Sequence, residues 1–257
     1  MVAVATAICQ YFYHKTMTNR QRAILQAIIN EFMNSAEAVG SLVIAQQYDL
    51  GVSPATIRSE MARLVDEGFI EMSHSSSGRV PTTLAFRYFI NEIMDEEEIP
   101  HLEELEISRR IFEKRFTKER LVKQALDVTS EVTRCLTLAL FDGTVFLSGV
   151  SELVRYPEFQ EIDNLQGLLA ILESCNIMSG MFRRAIGDNP RGVSVLVGEE
   201  TGVNALGNSG VVFKEFSAQS GGNGILAIIG PARMDYSRAI PVVKLVTDRL
   251  NNAVFGW

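Results

Sequence analysis

Ser53-Pro54-Ala55-Thr56-Ile57-Arg58-Ser59-Glu60-Met61-Ala62-Arg63-Leu64 is the stretch whose reading decides the fold. The Ser53 hydroxyl can accept from an orphan N–H of a first helical turn, and Pro54 suits the first helical position, where no donor is needed. A helix is predicted to start here. Ile57, Met61 and Leu64 recur at i, i+4 and i+7 and form its buried stripe, while Ala55, Arg58, Ser59 and Ala62 make a small, polar and basic opposite side. Upstream, Ser41 to Tyr48 reads as a short helix, and Asp49-Leu50-Gly51-Val52 as a tight turn with glycine at a left-handed position. Helix, glycine turn and capped helix compose a helix-turn-helix, whose second helix enters a major groove by its N-terminal residues.

Gly68 ends that helix, Phe69 to Met72 reads as a strand, Ser73 to Gly78 as a polar loop, and Arg79-Val80 as a returning strand stopped by Pro81. Such a hairpin is a wing, whose tip touches the DNA backbone or minor groove. The candidate DNA-contacting residues are therefore Ser53, Thr56, Arg58, Ser59 and Arg63 on the helix, with His74, Ser77 and Arg79 on the wing. The competing reading is a protein-interaction module: residues 17–95 hold six Arg, no Lys and nine Asp or Glu, so a generic basic footprint is absent. Local placement of Arg58, Arg63 and Arg79 weighs against that sum, because charges are screened beyond roughly 8 Å.

VSPATIRSEMARL, SHSSSGRVPTTLAFRYFINEIM and, far downstream, IGPARMDYSRAIPVV resemble the heat-inducible transcription repressor family, HrcA. The resemblance spans Met17 to Leu250. It implies a repressor that binds an inverted-repeat operator upstream of chaperone operons, a GAF-like regulatory domain after the DNA-binding domain, and the chaperonin as a partner. The sequence departs from the family pattern at Leu42, where a polar or basic residue is usual. It also departs between Leu140 and Phe146, where family members carry a long dimerising insertion that LALFDGTVFLSG passes over directly.

The bulk composition agrees with a two-domain protein. A chain of 257 residues, 47% hydrophobic and 21% charged, is ordinary for packed domains, and a formal charge of −7 permits only focused binding to nucleic acid. Cys9, Cys135 and Cys175 lack metal-ligand spacing, and His14, His74 and His101 do not cluster near them, so no metal and no cofactor is expected and a reduced cytoplasmic setting follows. Residues 1–16 are apolar and aromatic but lack the charge and cleavage signals of a secretory leader and are too short to span a membrane; no function is assigned to them.

Thr18 to Met33 is an amphipathic helix with Thr18 and Gln21 as a capping box and Leu25, Ile28, Ile29 and Phe32 as its core stripe; Arg20 and Arg22 read as solvated or phosphate-touching. Ile44, Ala45 and Tyr48 face inward from the next helix. Thr82 to Met94 is a further helix, followed by the acidic linker Asp95-Glu96-Glu97-Glu98. Glu103 to Leu136 reads as a long helical stretch, broken near Phe116-Thr117, that either covers the second domain or pairs with another protomer. The divisions expected are 17–95 for a winged helix-turn-helix domain, 96–136 for a linker and long helix, and 137–257 for a shortened GAF-like regulatory and dimerisation domain.

In that last segment Asp142-Gly143 has the composition of a tight hairpin turn between Thr137 to Phe141 and Thr144 to Leu147. Leu165 to Ile177 is read as one helix, Val193 to Val197, Gly210 to Phe216 and Ile225 to Ile229 as strands, and Met234 to Asn251 as a closing helix. Antiparallel strands covered by helices make the class α+β. Gly221 to Gly224 precede no helix and no Lys-Ser/Thr pair, so they read as hairpin chemistry and not as a phosphate loop. Arg233, Asp235 and Tyr236 could line a catalytic pocket, but no nucleophile has an adjacent base; the alternative is that Asp235 caps a helix and pairs with an arginine. The expected function is that of a dimeric, non-enzymatic, DNA-binding repressor without a membrane segment. The alternatives are a small-molecule-sensing winged-helix regulator and a non-DNA-binding interaction protein.

Overall fold

Thr18 opens helix α1, Asn19–Ser35, with a reciprocal cap: Gln21 N donates to Thr18 Oγ1 at 3.2 Å, and Thr18 N donates to Gln21 Oε1 at 3.0 Å. The structure, a computed structural model, describes residues 17–73, 78–113, 117–186, 192–217 and 222–253, in two units, one ending at Asp95 and the other beginning at Glu96. In the first unit Ile24, Leu25, Ile28 and Ile29 bury the inner face of α1 against α2, Ser41–Gln47, and α3, Pro54–Asp66. Gly51 turns the chain between α2 and α3 at φ +64°, which a side chain would strain.

Strands β1, Ile70–Met72, and β2, Arg79–Pro81, pair antiparallel with Met72 opposite Arg79. β2 is bonded on its other side too: Val39 N donates to Arg79 O at 2.8 Å and Arg79 N to Val39 O at 2.9 Å. This close approach requires Gly78, since a Cβ there would stand 2.7 Å from the Ala38 carbonyl carbon. Helix α4, Thr83–Tyr88, continues through a π turn over Phe89–Ile93 and is capped by Thr82, whose hydroxyl also donates to Gly68 O at 2.7 Å. The tip residues 74–77, and with them His74 and Ser77, lie outside the described residues.

The second unit begins with α5, His101–Phe112, and α6, Lys118–Thr133, and its sheet holds β3, Leu136–Phe141; β4, Thr144–Ser148; β5, Ser194–Val197; β6, Ser209–Ser217; and β7, Asn223–Pro231. The strand order is β4-β3-β7-β6-β5, antiparallel throughout. Asp142 (φ 47°) and Gly143 (φ 79°) are both left-handed, the two-residue turn whose twist matches the strands it joins. Between β4 and β5 lie the short α7, Val150–Leu153, then α8, Ile162–Leu172, and α9, Cys175–Ile186; α10, Tyr236–Asn251, closes the unit.

Alternation along the strands makes a three-layer arrangement. Leu136, Leu138, Leu140, Val211, Phe213, Ala227 and Ile229 share a core with Leu168 and Leu172 of α8 and Met178, Met181 and Phe182 of α9, where the Phe182 and Phe213 rings lie 4.7 Å apart. The opposite face takes α10 against β6 and β7 and α6 against β3 and β4. The break expected near Phe116-Thr117 separates α5 from α6. Two expectations need correction. With α5 seated on α6 and α10, the stretch 96–136 belongs to the sheet unit and is not a linker set apart from it. The segment 165–177 divides into α8 and α9, because Cys175 starts a new helix whose own apolar stripe packs beneath the sheet.

Helix α5 buries only Ile107 and Ile111, worth about 1.5–3 kcal/mol each. A row of charges joins it and the segment before it to α10: Lys244 with Glu96 at 2.6 Å, Arg238 with Glu97 at 3.7 Å and with Glu103, and Arg249 with Glu104 and with Ser108 Oγ at 2.8 Å. Each exposed pair is worth about 0–1 kcal/mol. Among the described residues no single helix is long and apolar enough to cross a membrane, and no cluster of His, Cys, Asp and Glu could hold a metal ion.

Candidate nucleic-acid interface

Helix α3 starts where the capping rule puts it. Thr56 N donates to Ser53 Oγ at 3.2 Å, the two hydroxyl oxygens lie 3.0 Å apart, and Pro54 occupies the first turn. Such a cap is worth about 1 kcal/mol. It also commits Ser53 and Thr56: both hydroxyls already bond each other, and Thr56 is half-buried. The free N–H groups of the first turn and the positive end of the helix dipole favour an anion there.

Ile57, Met61 and Leu64 are buried, and Ala55, Arg58, Ser59, Ala62 and Arg63 are exposed. Arg58 makes no ion pair or side-chain hydrogen bond among the described residues and projects from the exposed N-terminal half of α3. Arg63 differs. Its Nη1 lies 3.4 Å from Glu60 Oε2, and it stands nine residues after Pro54, about 14 Å along the helix axis. Arg79 is half-buried, its Nη1 donating to Gly78 O at 3.4 Å, which places its guanidinium at the mouth of the hairpin.

Two residues escaped the reading of local pattern. Glu60 is only 3% exposed, and its Oε1 accepts from Arg20 Nε at 3.0 Å with Nη2 2.8 Å away, so Arg20 is held in an ion pair while half of its side chain stays exposed. The signal was present: positions 57, 60, 61 and 64 are the full i, i+3, i+4, i+7 stripe, and Glu60 occupies one of its places. Arg22 lies over the Tyr88 ring at 6.0 Å. Behind α2, Tyr48 donates to Glu31 Oε1 at 3.0 Å; burial and that carboxylate push the phenol up to about 12. Leu42, 58% exposed, stands in the first turn of α2.

The downstream GPARMDYSR motif is occupied by structural bonds. Asp235 caps α10, accepting from Arg238 N at 3.2 Å and from Ser237 Oγ at 2.6 Å. The neighbouring arginines reach other carboxylates. Arg233 donates to both oxygens of Glu158, at 2.6 and 3.3 Å, and lies 5.6 Å from the centre of the Tyr156 ring, while Arg238 pairs with Glu103 and Glu97. Tyr236 is fully buried and donates to Ala232 O at 2.7 Å. Nearby Cys135 is 3% exposed, and burial pushes its thiol up to about 12, away from nucleophilic chemistry at neutral pH.

A family model described as the HrcA protein C terminal domain matches residues 80–240. The heat-inducible transcription repressor HrcA of Bacillus pumilus is 24% identical over 340 aligned residues, covering 93% of this chain and 98% of that protein. The HrcA of Clostridium acetobutylicum is 25% identical over 338, covering 92% and 97%. Since 93% of 257 residues is about 239, about 100 of the 340 aligned positions in the Bacillus protein have no counterpart here. Among solved structures, a crystal structure of a hypothetical protein at 2.2 Å resolution superposes with a TM-score of 0.75 at 15% identity, over 92% of this chain and 98% of that one.

Proposed function

This chain belongs to the HrcA family, and from that premise we propose that it is a sequence-specific repressor that binds an inverted-repeat operator upstream of chaperone operons. The role is regulatory and not enzymatic. In this reading residues 17–95 act as a winged helix-turn-helix, and residues 96–257 as a GAF-like regulatory and dimerisation domain. The observation that carries it is the first half of α3: a capped, exposed helix N-terminus bearing an uncommitted Arg58, followed by a two-stranded hairpin with an arginine at its mouth. Ser59, His74 and Ser77 are assigned as neighbouring contacts, Arg58 to a base edge and Arg79 to a phosphate. Ser53 and Thr56 shape the turn that presents the backbone N–H groups. Arg63, beside Glu60, is a peripheral contact.

An inverted repeat presents two half-sites, so the repressor acts as a homodimer. Both sheet edges carry side-chain caps: Leu147 O on β4 accepts from Lys123 Nζ at 2.5 Å, and Val197 N on β5 donates to Glu200 Oε2 at 2.9 Å. Helix α5 instead turns Leu102, 81% exposed, and Leu105, 52% exposed, to solvent, with Phe112 half-buried at its end; Phe116 lies outside the described residues. We assign the dimer contact to this face, and the chaperonin as a further partner.

The test is a gel shift of the purified protein on promoter fragments of its own chaperone operons. A retarded band competed by the same fragment and not by a shuffled duplex supports the reading. Equal affinity for both duplexes sinks it, and no binding to either favours an interaction protein.

A further inference from the structure

Glu60 sits in the stripe of α3 where an apolar residue would seat the helix. It is buried, its Oε1 accepts from Nε of the Arg20 guanidinium on α1 with Nη2 ion-paired 2.8 Å away, and its Oε2 faces Arg63. Stability does not explain a carboxylate there. Removing a charged pair from water costs about what the pair returns, and well-packed apolar residues of similar size stabilise at least as well. What the ion pair adds is direction. Apolar contacts tolerate sliding and rotation, whereas a hydrogen bond from Nε at 3.0 Å reinforced by the ion pair with Nη2 at 2.8 Å restrains both the roll and the height of α3 against α1.

Roll matters to any group that must meet a base edge. A 20° turn about a helix axis moves a side-chain end about 5–6 Å from that axis by about 2 Å, enough to break a hydrogen bond. The same carboxylate engages two of the six arginines of residues 17–95, which lowers the sequence-blind attraction of this unit for phosphates.

On the premise that α3 reads DNA, we infer that Glu60 is a positioning residue: through Arg20 it sets the roll of α3 that places Arg58, and its negative charge offsets those of the half-exposed Arg20 and Arg63. Its function is selectivity between sequences and not affinity for DNA as such.

The experiment compares the full chain with the double variant Arg20→Leu/Glu60→Leu and with Glu60→Gln. Each is titrated against its own chaperone promoter fragment and a shuffled duplex of equal length, over a range of salt, with thermal melting in parallel. The double variant has an unchanged net charge; it is expected to melt like the parent and to keep the parent's salt slope, while its preference for the promoter falls at least about tenfold. Glu60→Gln keeps the volume and one acceptor but frees two positive charges. Binding to the shuffled duplex should rise and steepen in salt, and the preference should fall again. A parent-like preference in either folded variant overturns the inference while leaving DNA binding intact. A parent with no preference for its promoter overturns the DNA-binding reading, and this inference with it.

Discussion

Replacing Arg58 with alanine removes the one uncommitted cation in the first half of α3, and the structure allows both consequences to be sized. The side chain is exposed and has no partner among the described residues, so its loss strands no buried charge, and alanine is at least as good a helix former. Stability should therefore move by less than about 0.5 kcal/mol. Arg58 is the fifth residue of α3, about 6 Å along the axis from Pro54, within the reach of a helix entering a major groove about 12 Å wide by its N-terminus. A lost arginine contact to a base edge costs about 1–3 kcal/mol, or about 5- to 150-fold in Kd. The assay is fluorescence anisotropy on a labelled promoter fragment at fixed salt, with thermal melting of both proteins. Arg63→Ala is the control; being about 14 Å along the axis and beside Glu60, it should lose less. A parent-like Kd for Arg58→Ala, or a larger loss for Arg63→Ala, would refute docking by the helix N-terminus.

Arg79→Ala should weaken binding to promoter and shuffled duplex alike and lower the salt slope by about one, the mark of a lost phosphate contact; a loss confined to the promoter would mean that the hairpin reads bases. Leu102→Glu/Leu105→Glu, both exposed, should leave melting unchanged but give monomers in sedimentation, and a parent that is monomeric at micromolar concentration both free and on DNA would remove the dimer. Gly78→Ala should cost about 1–3 kcal/mol in denaturant melting, because the new methyl would press on the Ala38 backbone; an unchanged midpoint would show that Val39 and Arg79 do not pair as described. Burial holds the Cys135 thiol protonated up to about 12, so at pH 8 thiol reagents should reach Cys175 and spare Cys135 in native protein, as read by peptide mass mapping. The associated stability is full below about pH 8.5, the unfolded thiol's pKa, and is lost as pH rises toward 12. Labelling of native Cys135 at pH 8, or stability flat across that window, would contradict this burial.

Local chemistry was legible in the chain itself. The Thr18–Gln21 box, the Ser53 cap with Pro54, and the Asp142-Gly143 turn all work through atoms two or three residues apart, so sequence neighbours contain the whole interaction. The strands read at 137–141 and 210–216 likewise depend only on which residues follow one another. What the tertiary structure decided is carried by groups far apart in the chain. Arg20 meets Glu60 across 40 positions, Arg233 meets Glu158 across 75, and Arg249 meets Glu104 across 145. Periodicity showed Glu60 inside an apolar stripe without showing the cation that makes its burial tolerable, and it showed Asp235 as a cap without showing that Arg233 and Arg238 turn to other carboxylates. The face on which 96–136 packs was equally open to sequence, since α5 and α6 are amphipathic whichever surface they cover. Buried charge needs a partner at hydrogen-bond distance, and only the packing of α1 on α3, and of α5 on α10, brings those partners within 3 Å.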